Sequence, residues 1–318
     1  MKKALLILFG GLDNTVVHSQ VATHSREMFE QGIIDFEIWS FVWSKRMLVK
    51  SQNMIGVVKK LSQCNVRVFK CVRPAMPFSL MLNALIISRL KRKLSPDIRL
   101  IHARADYSSA VCARMNLFFK TSFIWDCRGD AESEFLHRAG NSKSVIYRLF
   151  LKYQAASKRK HARLAAIGCD KAMFVTKELR DSVGNEIEDK QFAIIPCVAS
   201  ERMFYYSKEL RNETRDKYCF SENDIVIVYC GNTQKYQCYE ESIDLFKKLR
   251  HKNNNVKLLI VTPELHTALE PLMSLPEESY ILTSSAFDET NAILNAADYG
   301  LLIRENIQLN RVASPVKF

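Results

Sequence analysis

The sequence predicts an α/β protein in which two doubly wound parallel sheets follow one another along the chain. Short apolar runs rich in β-branched residues alternate with longer helical patterns throughout the 318 residues, as they do where helices connect parallel strands. The polar, charge-mixed stretch 201–223 interrupts this alternation once. We therefore predict an N-terminal domain at residues 1–198 and a C-terminal domain at residues 199–318.

Apolar runs mark the strands of both domains. In the first domain they are Leu5–Phe9, Phe36–Phe41, Val66–Cys71, Ile98–His102, Ser122–Trp125, Lys171–Val175 and Phe192–Ile195, with helical patterns at Val21–Gln31, Met54–Cys64, Phe78–Lys93 and Ser108–Phe118. In the second domain they are Ile225–Cys230, Val256–Val261, Tyr280–Leu282 and Tyr299–Ile303, with helical patterns at Glu240–His251, Glu264–Met273 and Thr290–Ala296.

The composition is that of a globular protein, with 47% hydrophobic and 25% charged residues, which excludes disordered and fibrous classes. The apolar run Ala4–Phe9 is too short for a signal sequence or a membrane span. Nine cysteines are scattered without metal-site or disulfide spacing. These features predict a cytoplasmic protein with reduced thiols and no bound metal.

Positive charge is concentrated in the predicted first domain. Residues 1–200 hold 32 Lys or Arg against 17 Asp or Glu, whereas residues 201–318 hold 14 against 17. Such a field favours polyanionic partners, which include nucleic acid, an anionic membrane surface and a phosphate-bearing acceptor.

Ligands of open α/β sheets bind beyond the carboxyl ends of the strands, so the loops after strands are the candidate sites. In the first domain these loops are Gly10–Thr15, His102–Tyr107 and Asp126–Glu132. The paired glycines allow a ligand to approach the backbone closely, and the other two loops carry dense mixed charge. A plain turn and surface or capping roles remain the alternatives.

The corresponding loops of the second domain offer cations, amides and hydroxyls to a phosphate or a ribose. The side chains in question are Asn232, Lys235, Thr262, Arg304, Ser314 and Lys317. Helix N-termini at such loops favour anions. A solvated surface role for Arg304 and Lys317 is the alternative.

Seven segments, taken in order, resemble those of a known family. They are Gly10-Gly11, Trp125–Gly129 with Glu134, Ala172–Thr176, Ile195–Cys197, Val228–Asn232, Ala296–Leu301 and Ala313–Phe318. Together they resemble the GT-B glycosyltransferases of family 4, in particular the bacterial surface-polysaccharide branch, whose two domains are Rossmann-like.

The resemblance implies transfer of a sugar from a nucleotide-sugar donor to a glycan or lipid-linked acceptor, with retention at the anomeric carbon. It implies no metal and no cofactor, since the nucleotide sugar is a co-substrate. The implied residues are Asp126, Arg128 and His102 for catalysis, Asp13 and Arg104 for the acceptor, and Gly11, Asn232, Lys235, Thr262, Arg304, Ser314 and Lys317 for the donor.

Two departures from the family pattern affect this expectation. The first donor-domain loop keeps only Lys235 of the usual Arg and Lys pair. The acidic residue that contacts the donor in the family would come after Phe318. The resemblance therefore predicts an incomplete second domain and a chain with weak or no transferase activity.

The helix Phe78–Lys93 is apolar up to Ser88 and then strongly basic, which predicts a peripheral contact with the inner face of the membrane. A buried helix with a solvated end is the alternative. A second basic helix spans Lys143–Arg163.

Two rival functions remain. A non-enzymatic basic binding protein is one, although we expect no nucleic-acid partner because no binding module or interleaved basic and aromatic pattern is present. The other rival is a nucleotide-sugar epimerase.

Overall fold

The computed structural model describes residues 1–117, 121–187, 191–286 and 289–315. Within these residues the chain forms two compact units, and each contains its own parallel sheet. Unit 1 comprises Met1–Val198 with Arg311–Ser314, and unit 2 comprises Ala199–Asn310 with Pro315. The α/β class and the two doubly wound sheets predicted from the sequence are confirmed.

Unit 1 alternates strands and helices. In chain order its elements are β1 (Lys2–Phe9), α1 (Thr23–Glu30), β2 (Ile34–Val42), α2 (Lys45–Ser62), β3 (Asn65–Lys70), α3 (Ser79–Leu94), β4 (Leu100–Arg104), α4 (Ala105–Met115), β5 (Ser122–Cys127), α5 (Ala131–Gly140), α6 (Val145–Gly168), β6 (Lys171–Phe174), α7 (Lys177–Val183) and β7 (Gln191–Ile194). The parallel sheet has the order β3-β2-β1-β4-β5-β6-β7. The direction of winding changes between β1 and β4, where open α/β sheets bind their ligands.

The first strand of unit 1 is buried on both faces, as its uninterrupted apolar run predicts. Leu5 and Ile7 pack in one core with Trp39 and Trp125. Leu6 and Leu8 pack in a second core on the opposite face of the sheet. This run is therefore a core strand.

Polar side chains cap the starts of four helices of unit 1, which are α2, α5, α6 and α7. The hydroxyl of Ser44 accepts a hydrogen bond from the backbone N–H of Met47 and starts α2, which begins nine residues before the sequence predicted. The carboxylate of Asp130 accepts from the N–H of Ser133 and starts α5. The sequence reading missed α5 because its ten residues carry little apolar periodicity.

Unit 2 contains α8 (Lys208–Lys217), β8 (Ile225–Cys230), α9 (Tyr239–Lys252), β9 (Val256–Val261), α10 (Leu265–Leu269), β10 (Tyr280–Thr283), α11 (Thr290–Asn295), β11 (Tyr299–Gly300) and α12 (Gln308–Arg311), whose last residue belongs to unit 1. Its parallel sheet has the order β10-β9-β8-β11. The strands β8 and β9 bury both faces between two apolar clusters.

The stretch 201–223 was predicted as a polar connection, but it contains the helix α8. The hydroxyl of Ser207 caps it. Arg215 is 7% exposed and donates hydrogen bonds to the carbonyls of Ser221, Asp224 and Ala296. The helix is thus held by buried hydrogen bonds instead of an apolar stripe.

One further segment differs from the sequence expectation, and the helix α3 agrees with the alternative of a buried helix with a solvated end. Residues 311–314, predicted in the second domain, lie in unit 1, where Val312 is in the core. The helix α3 buries Ala84 and Ile87 in the same core, and its Lys91 is 1% exposed. Among the residues that the structure describes, every helix is too short or too polar to span a bilayer.

Candidate functional site

The glycine loop after β1 is fixed by the two neighbouring elements. Gly10 has a φ of +132°, which disfavours other residues, and its N–H donates to the carbonyl of Phe41 at 3.0 Å. The N–H of Leu12 donates to the hydroxyl of Ser51 at 3.1 Å. A Cβ atom at Gly11 would collide with the carboxylate of Asp13. The two backbone hydrogen bonds thus hold the loop against β2 and α2 at the switch point.

A charged cluster lies across the ends of β4 and β5, because their register places Arg104 beside Asp126. Nε2 of His102 and Nη1 of Arg104 lie 3.1 Å and 3.3 Å from Oδ2 of Asp126. Nη1 of Arg128 lies 3.4 Å from Oδ1. The structure thus brings together the three predicted catalytic residues and the predicted acceptor residue Arg104.

Gln20 completes this cluster and was missed by the sequence reading. Its Oε1 accepts hydrogen bonds from Nη2 of Arg104 at 2.7 Å and from Nη2 of Arg128 at 2.8 Å. It lies in a short π-helical segment, Val17–Ala22, before α1. No local pattern in the sequence links Gln20 to residues more than 80 positions away.

The cluster holds Asp126 as a carboxylate. Burial acts to raise its pKa, but the hydrogen bond from His102 and the charges of His102, Arg128 and Arg104 outweigh burial and lower the pKa to about 2. Two guanidinium groups share this single carboxylate, so the cluster carries net positive charge. Its chemistry suits an anion or a sugar hydroxyl as ligand.

A second carboxylate lies on the opposite face of the same sheet edge. Oδ1 of Asp106, in the first turn of α4, accepts from Nε1 of Trp125 at 3.2 Å. Burial raises the pKa of Asp106 to about 6, opposed by the hydrogen bond from Trp125 and the charge of Lys158. Burial also lowers the pKa of His161 to about 4. Asp106 is therefore a carboxyl group that titrates near neutral pH.

Two cavities meet at Asp106 and Lys158. One has a volume of about 370 Å³ and extends along Gly129, Asp130 and Arg163. The other has a volume of about 310 Å³ and is lined by Phe9, Trp43, Arg73, Ala105, Tyr107 and His161. The strand ends of β1 and β4 contribute to the second cavity. The second cavity is therefore an open space at the predicted sheet edge, on the face opposite the cluster around Asp126.

In unit 2 the loops that carry Lys235 and Arg304 meet, because β8 and β11 are adjacent strands. Nδ2 of Asn310 donates to the carbonyl of Tyr236 at 2.9 Å. Nη1 of Arg304 lies 3.5 Å from Oδ1 of Asn310. The two predicted donor-binding cations thus belong to one edge of one sheet.

No protein-family model and no curated protein matches the sequence. The fold does match solved structures. A glycosyltransferase from Rickettsia africae has a TM-score of 0.63 and 12% identity, covering 94% of this chain and 72% of that chain. HepE from Anabaena, in complex with UDP and glucose, has a TM-score of 0.61 and 11% identity, covering 94% and 73%. A protein from Listeria monocytogenes, named as a UDP-N-acetylglucosamine 2-epimerase, has a TM-score of 0.55 and 10% identity, covering 92% and 72%.

The chain has the GT-B fold. At identities of 10–12% the likeness establishes the fold alone, and chemistry must be argued from residues. This GT-B chain places charged side chains at the carboxyl edge of each of its two sheets. In both units, the strand order predicts that a ligand binds at this edge.

Several predicted donor residues of this GT-B chain have partners within their own loops. Thr262 is 1% exposed, and its hydroxyl accepts from the N–H of Glu264. Oδ1 of Asn232 lies 3.4 Å from the N–H of Gln234. Glu264, which the sequence reading did not select, accepts from the N–H and the hydroxyl of Thr233 at 2.6 and 2.7 Å. These contacts tie the loops after β8 and β9 together.

The remaining predicted site residues lie elsewhere. Ser314 belongs to unit 1, where its hydroxyl accepts from the N–H of Cys197 at 2.9 Å. Lys317 lies outside the described residues. Asp13 is at the surface, with Oδ2 3.6 Å from Nζ of Lys50. Asp13 is therefore accessible at the glycine loop, whereas Ser314 already serves as a hydrogen-bond acceptor.

Proposed function

We propose that this GT-B chain is a glycosyltransferase that moves a sugar from a nucleotide-sugar donor to a glycan or lipid-linked acceptor. The observation that carries the proposal is the meeting of the Lys235 and Arg304 loops at the carboxyl edge of the unit 2 sheet. The fold match to HepE, a protein in complex with UDP and glucose, supports a nucleotide sugar as the ligand of this edge.

The reaction explains why cations belong at that edge. The bond between the anomeric carbon and the phosphate oxygen breaks, and its electron pair leaves with the nucleoside diphosphate. The oxygen of the acceptor hydroxyl bonds to the anomeric carbon, and its proton passes to the departing phosphate. Negative charge grows on the diphosphate in the transition state, where fixed cations such as Lys235 and Arg304 stabilise it. We propose retention at the anomeric carbon and no metal requirement.

We propose that unit 1 binds the acceptor at the edge formed after β1, β4 and β5. Arg104 and Arg128 are the groups that would contact sugar hydroxyls, together with Asp13 at the glycine loop. Both oxygens of Asp126 already accept hydrogen bonds, so we assign it as a positioning residue. His102 would share that role. The setting proposed is surface polysaccharide synthesis in the cytoplasm, and the nine cysteines, whose spacing in the sequence matches neither a disulfide framework nor a metal site, support a reducing compartment.

Nucleotide binding tests the donor site directly. Thermal unfolding with UDP, GDP and ADP should show selective stabilisation by one nucleotide, about 2.7 kcal/mol at a concentration one hundred times Kd. Lys235→Ala and Arg304→Ala should each weaken this affinity about tenfold, whereas Lys248→Ala on the exposed face of α9 should not. If no nucleotide stabilises the chain, the donor site does not exist and the proposal fails.

The epimerase is kept as a second candidate because one structural neighbour carries that name. The two activities differ in their products. Incubation of a nucleotide sugar without any acceptor should leave it unchanged in a transferase, apart from slow hydrolysis. Formation of the epimer under these conditions would favour the second candidate.

A further inference from the structure

The first half of α6 exposes an apolar stripe. Ile146, Leu149, Phe150 and Tyr153 are 83%, 62%, 51% and 67% exposed. Their spacing places them on one face of the helix. The buried residues of α6, which include Leu151 and Ala155, lie on another face and anchor the helix to unit 1. A helix of a globular protein normally turns such a stripe inward, so this one is available for a partner.

The charged residues of α6 itself are all positive. The sequence of α6 contains six Lys or Arg and no Asp or Glu. Arg148 and Lys152 are exposed and lie within the stripe's own turns, and Lys143 and Arg138 are exposed just before the helix. The nearest acidic side chain in the chain before α6 is Glu134, and Glu132 is paired with Arg159.

A second exposed apolar segment adjoins the stripe. Phe78 is 84% exposed and adopts a left-handed φ of +58° before α3. Phe78, Met76 and Met81 line a cavity of about 640 Å³ together with Tyr153, Arg114 and Lys160. Apolar walls and cations thus continue from the stripe into an open cavity.

We propose that the stripe and the segment 76–81 form a docking surface for an anionic lipid bilayer. The apolar side chains would enter the headgroup region, and the surrounding cations would meet lipid phosphates. Of the surface predicted from the sequence, Phe78–Lys93, this docking surface keeps the start and leaves out the basic end, where Lys91 is buried and Arg89, Arg92 and Lys93 are exposed. The docking surface is inferred from these observations alone. The further idea that docking brings a lipid-linked acceptor to unit 1 rests on the proposed function.

The positive charge of the docking surface favours an anionic bilayer, and not a second copy of the chain, as its partner. Two copies that meet through α6 would bring together two sets of cations without an acidic partner on the same helix. Like charges of this kind oppose association. An anionic membrane supplies the missing negative charge and accepts the apolar stripe at the same time.

Vesicle sedimentation of the full chain tests the proposal. The chain should sediment with vesicles that contain phosphatidylglycerol and remain in solution with phosphatidylcholine alone. Binding should fall with added salt, because lipid and protein charges are screened. The variant Ile146→Glu with Phe150→Glu should lose at least tenfold in vesicle affinity. Both positions are exposed, so the variant is expected to fold.

A matched control separates docking from general charge. Leu269→Glu with Met273→Glu adds the same charge at exposed apolar positions of unit 2 and should bind vesicles like the original chain. Absence of binding to phosphatidylglycerol, or equal loss in both variants, would overturn the proposal. So would a dimer in light scattering that the α6 variant alone disrupts. Nucleotide stabilisation measured on the same samples separates failure of docking from failure of the donor site.

Discussion

Two buried carboxylates at the same sheet edge differ in ionisation because their neighbours differ. Asp126 faces two guanidinium groups and a histidine, which lower its pKa to about 2 against the effect of burial. Asp106 has a Trp125 N–H and the more distant charge of Lys158, so burial prevails and its pKa rises to about 6. Residue type alone predicts neither outcome. The neighbouring groups determine the pKa of each carboxyl group.

Asp126→Asn should destabilise the protein at pH 7 by about 2–3 kcal/mol, because Arg104 and Arg128 lose their counter-charge. The folded-state pKa is depressed, so the stabilisation by the carboxylate is present above its ordinary pKa of 3.8. It is lost as the pH falls through about 2. Urea unfolding at pH 7 and near pH 3 measures the difference. The exposed control Asp13→Asn should change stability by less than about 0.5 kcal/mol. An equal effect of the two substitutions would contradict the claim that the charged cluster stabilises the fold through Asp126.

Asp106→Asn should have the opposite effect and stabilise the protein at pH 8 by about 3 kcal/mol. The folded-state pKa is raised, so ionisation above pH 6 costs folding free energy that Asn avoids. An Asn side chain can still accept from Trp125. The advantage should shrink as the pH falls from about 6 and vanish below the ordinary pKa of 3.8. Thermal unfolding across this range, with Asp244→Asn as exposed control, measures it; stabilisation at every pH would disprove the ionisation argument.

The sequence identified the residues of the charged cluster but not their contacts. Asp126, Arg128, Arg104 and His102 were selected because parallel strands end at a common edge, and the structure brings them together. Gln20 could not be found in this way, since its contact to Arg128 spans 108 positions. Such a contact depends on the sheet register and on how a helix packs on it.

At the scale of elements, the apolar pattern was a reliable guide to strands and a poor one to polar helices. Each predicted strand has a counterpart in the structure, some with ends shifted by a few residues. The helix α8 was missed because its sequence, KELRNETRDK, holds a single apolar residue. Its stability comes from Arg211 and Arg215, which reach the carboxylate of Asp298 and carbonyl groups at the end of α11.

Arg215→Met should therefore destabilise unit 2 by about 3 kcal/mol or more. The substitution keeps an aliphatic side chain but leaves the carbonyls of Ser221, Asp224 and Ala296 without this donor. Urea unfolding followed by circular dichroism measures the loss. Lys208→Met, at an exposed position of the same helix, is the matched control and should stay within about 0.5 kcal/mol. Similar results for both variants would show that α8 contributes little.

At the scale of the whole molecule, the two units differ in charge, and one of them contains residues from both parts of the sequence. The first 200 residues carry the positive excess, and the rest carry a slight negative one, so we expect any polyanionic partner to bind unit 1. The segment 311–314 returns to unit 1, where Val312 is buried and its carbonyl accepts from the hydroxyl of Thr176 at 2.9 Å. The sequence could not predict this return, because a short apolar segment does not indicate which core it enters.

The two proposed ligands should protect different units from hydrogen exchange. A stabilising nucleotide should slow exchange in residues 231–236 and 301–305 of unit 2, since bound phosphates would order the loops of Lys235 and Arg304. Phosphatidylglycerol vesicles should instead slow exchange at 76–81 and 146–153 of unit 1. Mass spectrometry of peptides from the full chain reads both effects in one sample. At a nucleotide concentration close to the Kd of the original chain, Lys235→Ala should weaken the first pattern and keep the second. Protection of unit 1 alone by the nucleotide would place donor binding on the wrong sheet and contradict the assignment of unit 2.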